Sequence, residues 1–245
     1  MTMTQVTIRP ASAADAPECG RICHDAFASI AARHGFPPDF PSVEVAAGLV
    51  SGLIAHPGFF GVVAEHDGRI VGSNFLDERS MIAGVGPITV DPDVQDRQVG
   101  RALMNAVLQR AADRRVPGVR LLQVAYHNRS MSLYAKLGFD VQEPFAAMQG
   151  DPLAAQVVDR GGRITGYTTG IAFFAHSVAE TNDDLHALIG AAAAFPGPGF
   201  LVPMRNTELL RWCLAQGLRV FYVMNLMTIG LYQEPRGAFL ASVLY

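Results

Sequence analysis

A chain of 245 residues with a formal net charge of -3 is long for one small α/β module and short for two. The slight acidic balance argues against a nucleic-acid binder and against a polybasic membrane anchor. Half of the residues are hydrophobic and 17% are charged, below the roughly 25% of an average soluble domain, which excludes a disordered chain and calls for a large buried surface.

No apolar run reaches the roughly 18 residues of a membrane span, and Met1 to Pro10 lacks the apolar core of a signal peptide. A cytoplasmic protein with no membrane partner is expected. The three cysteines are odd in number and form no Cys-x-x-Cys pair, so a reducing compartment fits better than a disulfide framework. Cys19 and Cys23 lie four apart beside His24. With no further ligands nearby, the pattern reads as helix-face packing and not as a metal site.

Val6 to Arg9 reads as a short strand, and Ser12 caps a helix from about Ala13 to His34. A second helix runs from Val43 to Ala55 and stops at Pro57-Gly58. Phe59 to Glu65 and Arg69 to Leu76 form a hairpin around His66-Asp67-Gly68. Met81 to Val90 is a strand interrupted by Gly84, Gly86 and Pro87, residues that mark a bulge or a close approach to the backbone. Gly100 to Arg114 is an amphipathic helix, Val119 to Ala125 a strand, Asn128 to Leu137 a helix closed by Gly138, and Phe139 to Met148 a strand. Beyond it, Tyr167 to His176 reads as a strand, Asp183 to Ala194 as a helix, Phe200 to Pro203 as a strand, and Arg219 to Tyr232 as the last strands.

Two segments echo earlier ones. Val157 to Gly166 repeats the pattern of Val62 to Gly72, and Asn206 to Gly217 that of Asn128 to Gly138. Two echoes in one order point to an internal repeat lacking the two opening helices; coincidence between generic hairpins is the plainer alternative.

The segment that carries chemistry runs from Val90 to Met104. It leaves a strand, turns and opens a helix, whose unpaired N–H groups and dipole favour an anion. Gly100 lets the backbone approach a bulky anion, and Arg97 and Arg101 add positive charge, which suits a diphosphate. An ordinary strand–turn–helix carrying a glycine is the alternative. Downstream, Asn128 to Phe139 contains Ser130, Tyr134 and Gly138.

Here the chain resembles the GNAT superfamily of acetyl-coenzyme A-dependent N-acetyltransferases, over roughly residues 6 to 148. Gln95 matches the first position of the family loop Gln/Arg-x-x-Gly-x-Gly/Ala and Gly100 its last. Gln98 stands at the first glycine. A second register through Arg97, Gly100 and Ala102 keeps the formula but shifts its spacing from Val90. The resemblance implies a mixed-sheet α/β fold, with a complete GNAT domain at 1–150 and a truncated, degenerate GNAT-like domain at 151–245. Acetyl-coenzyme A would be the cosubstrate. Backbone around Ile88, Thr89 and Val90 would pair with the pantetheine arm. The loop Gln95, Asp96, Arg97, Gln98, Val99, Gly100, Arg101 and Ala102 would hold the diphosphate. Asn128 and Ser130 would assist, and Tyr134 would protonate the departing thiolate.

An ammonium cannot attack a thioester, so some group must take a proton. Glu78 is the first candidate; Asp77, His127 and the terminal carboxylate of Tyr245 are rivals, and a solvated strand-end charge is the plainer reading of Glu78. The second copy looks catalytically empty. Glu180, Asp183 and Asp184 surround its would-be anion site, and Cys213 stands where Tyr134 stands when both are counted back from the closing glycine. That half would pack against the first domain and wall the acceptor cleft; Phe173, Phe174, Phe195, Phe200, Trp212, Phe221 and Tyr222 give it apolar mass, and plain core is the reading for most of them. The expected protein is a metal-free acetyltransferase with one coenzyme site and a small-molecule amine as acceptor, working as a monomer (an intramolecular pseudo-dimer) or a homodimer. The alternatives are a non-catalytic coenzyme A-binding module and an enzyme that acetylates proteins.

Overall fold

The computed structural model describes residues 6–94, 98–151 and 161–243. The chain forms two compact units, Met1–Arg120 with Ile229–Leu231, and Leu121–Thr228 with Tyr232–Tyr245.

The first unit contains β1 (Thr7–Pro10), α1 (Ala16–Arg33), α2 (Val43–Ala55), β2 (Phe59–His66), β3 (Arg69–Asp77), β4 (Ile82–Val85), β5 (Thr89–Val90), α3 (Val99–Asp113) and the start of β6 (Gly118–Val124). Ser12 is the N-cap of a 3-10 turn, Ala13–Asp15, and the α-helix itself starts three residues later than expected, at Ala16 with Asp15 as its N-cap. The Asp15 carboxylate accepts hydrogen bonds from the Ser12 backbone N–H at 2.7 Å and from its hydroxyl at 2.8 Å. Helix α2 matches its expected range residue for residue, with Ser42 as N-cap. The β2–β3 turn has Asp67 at φ 52° and Gly68 at φ 73°, the two left-handed residues of a tight hairpin.

The sheet of this unit is mixed. β1, β2, β3 and β4 pair antiparallel in that order, and β4 pairs parallel with β6 at Ile82–Gly84 and Gly118–Arg120. Cys19 and Cys23 of α1, Ala46, Val50 and Leu53 of α2, Val63 of β2 and Phe75 of β3 form a core together with Phe40. Full burial of a side chain such as Phe75 stabilises by roughly 1.5–3 kcal/mol. The two cysteines are therefore packing residues, as their spacing suggests. Burial pushes the Cys19 thiol up to about 11 and the Cys23 thiol up to about 12.

The second unit holds the rest of β6, α4 (Asn128–Lys136), β7 (Asp140–Gln149), β8 (Gly166–Thr168), β9 (Ser177–Ala179), α5 (Asn182–Gly190), β10 (Phe200–Pro203), α6 (Thr207–Ala215), β11 (Arg219–Gly230 in full) and β12 (Ala238–Leu240). Strand order here is β6–β11–β7–β10, beside a small sheet β12–β9–β8. β7 pairs antiparallel with β11 on one side and with β10 on the other. Its core gathers Ala146 and Met148 of β7, Leu185 and Ile189 of α5, Phe200 and Val202 of β10, and Leu209 and Cys213 of α6.

Three further expectations are corrected. Tyr167 to His176 is not a strand: β8 ends at Thr168, and Thr169 Oγ1 accepts from the His176 backbone N–H at 3.1 Å, closing a loop in place of a ladder. The helix expected to reach Ala194 ends at Gly190, a poor helix former shortly ahead of Pro196. The last strands are one twelve-residue strand, β11, with two register shifts against β7, followed by the unforeseen β12.

Of the two echoes, the first begins at 157, and its residues 157–160 lie outside the described residues. The second is visible bond by bond. Leu218 N–H donates to Cys213 O at 3.1 Å as Phe139 N–H donates to Tyr134 O at 3.0 Å, and Gly217 and Gly138 both have positive φ. Asn206, however, is the N-cap of α6, whereas Asn128 is the first residue within α4. That offset is the extra residue of the second copy.

Candidate active site

The strand feeding α3 is broken where its glycines and proline stand. β4 ends at Val85, Gly86 N–H donates to Phe75 O at 2.9 Å, and β5 resumes at Thr89. β4 is paired on both edges, but Thr89–Val90 pairs only with β3, through Ser73 and Gly72. Among the described residues no strand covers the other edge of β5, so backbone groups near Ile88 and Val90 are on offer to an extended ligand. The Thr89 side chain turns inward, its hydroxyl 3.3 Å from that of Ser73.

Asp91 holds the exit from this strand. Its N–H donates to Val71 O, and its O accepts from Val94 N–H. Oδ1 accepts from Asp93 N–H at 3.0 Å, and Oδ2 accepts from Arg21 of α1 at 3.1 Å. A 3-10 turn, Pro92–Val94, follows. Gln95, Asp96 and Arg97 lie outside the described residues. Gln98 is then the N-cap of α3, at φ 60° and ψ 12°, a left-handed conformation that favours glycine. It gives no side-chain cap, and the first turn, Val99, Gly100, Arg101 and Ala102, contains no acid. Arg101 has no ion pair among the described residues. Among the described residues no side chain caps the helix start and no acid stands in its first turn, a condition that favours an anion.

In the second unit, β6 runs into α4. Gln123, buried at the end of β6, donates through Nε2 to His127 O at 3.0 Å and to the Ser130 hydroxyl at 3.2 Å, and Ser130 in turn donates to His127 O at 2.9 Å. Ser130 and His127 thus build the helix start, where Asn128 stands exposed. Tyr134 is 7% exposed, and burial alone raises its phenol well above the usual tyrosine range, so it is a protonated donor. Its hydroxyl makes no hydrogen bond among the described residues.

The carboxylates expected to serve as bases stand beside arginines. Glu78 Oε1 accepts from Arg110 Nε of α3 at 2.7 Å, and Oε2 lies 3.4 Å from Nη1 of Arg114, the C-cap residue that follows α3. Asp77 accepts from Arg79 at 2.9 and 2.7 Å. Both form ion pairs with arginine. Tyr245 lies outside the described residues.

Helices α5 and α6 start differently from α3. Thr181 caps α5, accepting from Asp184 N–H at 3.3 Å and donating to Asp184 Oδ2 at 2.7 Å, while Thr165 donates to Asp184 Oδ1 at 2.9 Å. A buried carboxylate therefore already fills that helix start. Asn206 caps α6, and burial pushes the Cys213 thiol up to about 12. Among the described residues no group of three or more His, Cys, Asp or Glu is gathered as a metal would need, and no helix is long and apolar enough to cross a membrane.

A broken strand that leads into a helix start with no acid in its first turn, within a mixed sheet, is a framework that suits an extended ligand carrying an anionic group. Residues 57–141 match the family model described as acetyltransferase (GNAT) domain. Over that segment the chain is similar to the acetyltransferase domain of the GNAT superfamily. Among solved structures it is similar to a candidate acetyltransferase from Pyrococcus horikoshii, with a TM-score of 0.75 and 16% identity over 95% of this chain and 92% of that one. It is also similar to ribosomal-protein-alanine N-acetyltransferase from Brucella melitensis, with a TM-score of 0.51 and 15% identity over 92% and 99%. At these identities the likeness is one of fold, and the first extends over almost the whole chain. A search of curated proteins finds no match by sequence.

Proposed function

We propose that the protein transfers the acetyl group of acetyl-coenzyme A to the primary amine of a small molecule, using one coenzyme site. The start of α3 carries the reading: a left-handed Gln98 without a cap, Gly100 next in line, no acid in the first turn, and a half-paired strand leading to it. The loop from Gln95 to Ala102 would hold the diphosphate, and backbone near Ile88 to Val90 the pantetheine arm. Asn128 and Ser130 would steady that arm at the start of α4. Acetyl-coenzyme A supplies an acyl group activated as a thioester. Tyr134 keeps its proton at neutral pH and would give it to the leaving sulfur. On this reading residues 1–150 hold the coenzyme site and 151–245 are a degenerate copy, since the capped starts of α5 and α6 offer no anion site.

Calorimetry with acetyl-coenzyme A tests the site. Binding is expected in the wild type and at least tenfold weaker in Gly100→Trp. Tyr134→Phe should bind normally but release free thiol far more slowly with amine acceptors. No binding, or binding indifferent to Gly100→Trp, refutes the site. Binding without turnover by any amine favours the non-catalytic module.

A further inference from the structure

The proposed reaction needs a proton acceptor for the amine, and Glu78 and Asp77 are held in ion pairs. A different carboxyl group is built into the second unit. Glu143 of β7 is 6% exposed. Its Oε1 accepts a hydrogen bond from the Tyr232 hydroxyl at 2.9 Å. Its Oε2 is buried and receives no directed hydrogen bond among the described residues; Arg205 Nε stands 3.3 Å away, near enough to attract but not aligned to donate. Arg205 is itself drawn outward by Glu234 and lies 5.5 Å over the Phe239 ring. A buried carboxyl group with an unused lone pair is costly to keep, and such groups recur where protons move.

Its place in the sheet suits that use. Glu143 pairs with Leu226, one step from the row Pro144–Asn225. Asn225 donates to Gln123 Oε1 at 3.1 Å, and Gln123 faces α4. Alternation along a strand therefore puts Glu143 on the opposite face, roughly 10 Å across from β6. Phe145, two residues along the same face, meets Phe239, which gives Glu143 an aromatic border. Tyr232 is half-buried, the less enclosed member of the pair.

We infer that Tyr232 and Glu143 form a proton relay for the acceptor amine, Tyr232 Oη touching the substrate ammonium and Glu143 receiving the proton behind it. The inference rests on the acetyl-transfer reading above. The bookkeeping closes. The ammonium gives one proton to Tyr232 Oη as the phenol passes its own to Glu143 Oε1, leaving a neutral amine, a neutral phenol and a carboxylic acid. The neutral amine then forms the C–N bond as the C–S bond breaks. Its second proton balances the one that Tyr134 gives to the sulfur, and Glu143 returns its proton to water. The charged groups facing the carboxyl group are Arg205, which favours its ionised form, and Glu234, which opposes it. Burial outweighs both Arg205 and the Tyr232 bond, and holds Glu143 above the usual carboxylate range. The Tyr232 phenol is pushed up to about 12, first by burial and then by its bond to Glu143, so it stays protonated between transfers.

The test is the pH profile of kcat/KM for acetyl-coenzyme A with a fixed panel of ethanolamine, putrescine, spermidine and an alanyl tripeptide, run on wild type, Glu143→Gln, Glu143→Asp and Tyr232→Phe. The wild-type rate should rise with pH as Glu143 ionises. Glu143→Gln and Tyr232→Phe should each lose at least tenfold, on the order of a general-base contribution, and lose that acidic limb. Glu143→Asp should keep part of the rate. Calorimetric coenzyme binding should not change in any variant. Turnover in the wild type with unaltered profiles in Glu143→Gln and Tyr232→Phe overturns the relay and leaves acetyl transfer standing. Loss of coenzyme binding in both variants marks them as structural and overturns it too. Failure of the wild type to bind acetyl-coenzyme A overturns the acetyl-transfer reading itself, and the relay with it.

Discussion

Gln98 shows how a side chain can occupy a glycine position of the family loop and still adopt the left-handed backbone. The loop needs a left-handed residue to turn the chain into α3, and Gln98 adopts φ 60° to supply it. An unbranched side chain tolerates that region at a cost of about 1–2 kcal/mol, and a β-branched one does not. Gln98→Val should therefore destabilise by about 1–3 kcal/mol and weaken coenzyme binding. Gln98→Gly should bind at least as tightly as wild type with little change in stability, because relieved strain offsets the greater freedom of the unfolded chain. Thermal melts and calorimetry on the two variants check this, and equal behaviour of Val and Gly would show that the loop does not depend on that conformation. This part of the site is legible because its residues are contiguous, so the strand, the turn and Gly100 can be read in one window. The Tyr232–Glu143 pair is not. Its members are 89 positions apart and carry no motif, and only the β11–β7 register brings their neighbourhoods together.

Helix α1 does three jobs in three consecutive residues. Cys19 packs into the core. Gly20 lets α2 approach so closely that a Cβ there would stand 2.3 Å from Ala47 Cα. Arg21, clamped by Glu18 at 2.7 Å and Asp25 at 2.8 Å, reaches Asp91 at the exit of β5. Arg21→Met removes a partly exposed ion pair, which by itself is worth at most about 1 kcal/mol. It also frees the carboxylate that anchors the turn before the coenzyme loop. We expect a small loss of stability, a several-fold rise in KM for acetyl-coenzyme A and a nearly unchanged kcat. A fall in kcat at constant KM would place Arg21 elsewhere in the mechanism. Elements with strong local punctuation were readable: α2 lies between Ser42 and Pro57, and the β2–β3 hairpin turns at Asp67-Gly68. The stretch from Thr169 to His176 was misread because threonines and aromatics satisfy a strand pattern equally well. Here the threonine hydroxyls instead bond the local backbone at Gly170 and His176.

The two strand–helix–strand segments β6–α4–β7 and β10–α6–β11 lie in the same compact unit, with β11 seated between β6 and β7. The sequence boundary near residue 150 therefore cuts between neighbouring strands. A fragment ending there keeps the coenzyme motif, α4 and β7, but loses β11 from one edge of β7 and β10 from the other. Phe145, Ala146 and Met148, all buried in the full chain, would then be left against no neighbouring strand. Exposed strand edges beside apolar side chains invite association. We expect residues 1–150 expressed alone to aggregate or to melt without a cooperative transition, and residues 1–245 to melt cooperatively with protection by acetyl-coenzyme A. A soluble, monomeric 1–150 fragment that unfolds cooperatively and binds the coenzyme would show instead that this stretch is self-sufficient. In that case residues 151–245 would have to be explained by the acceptor and not by folding.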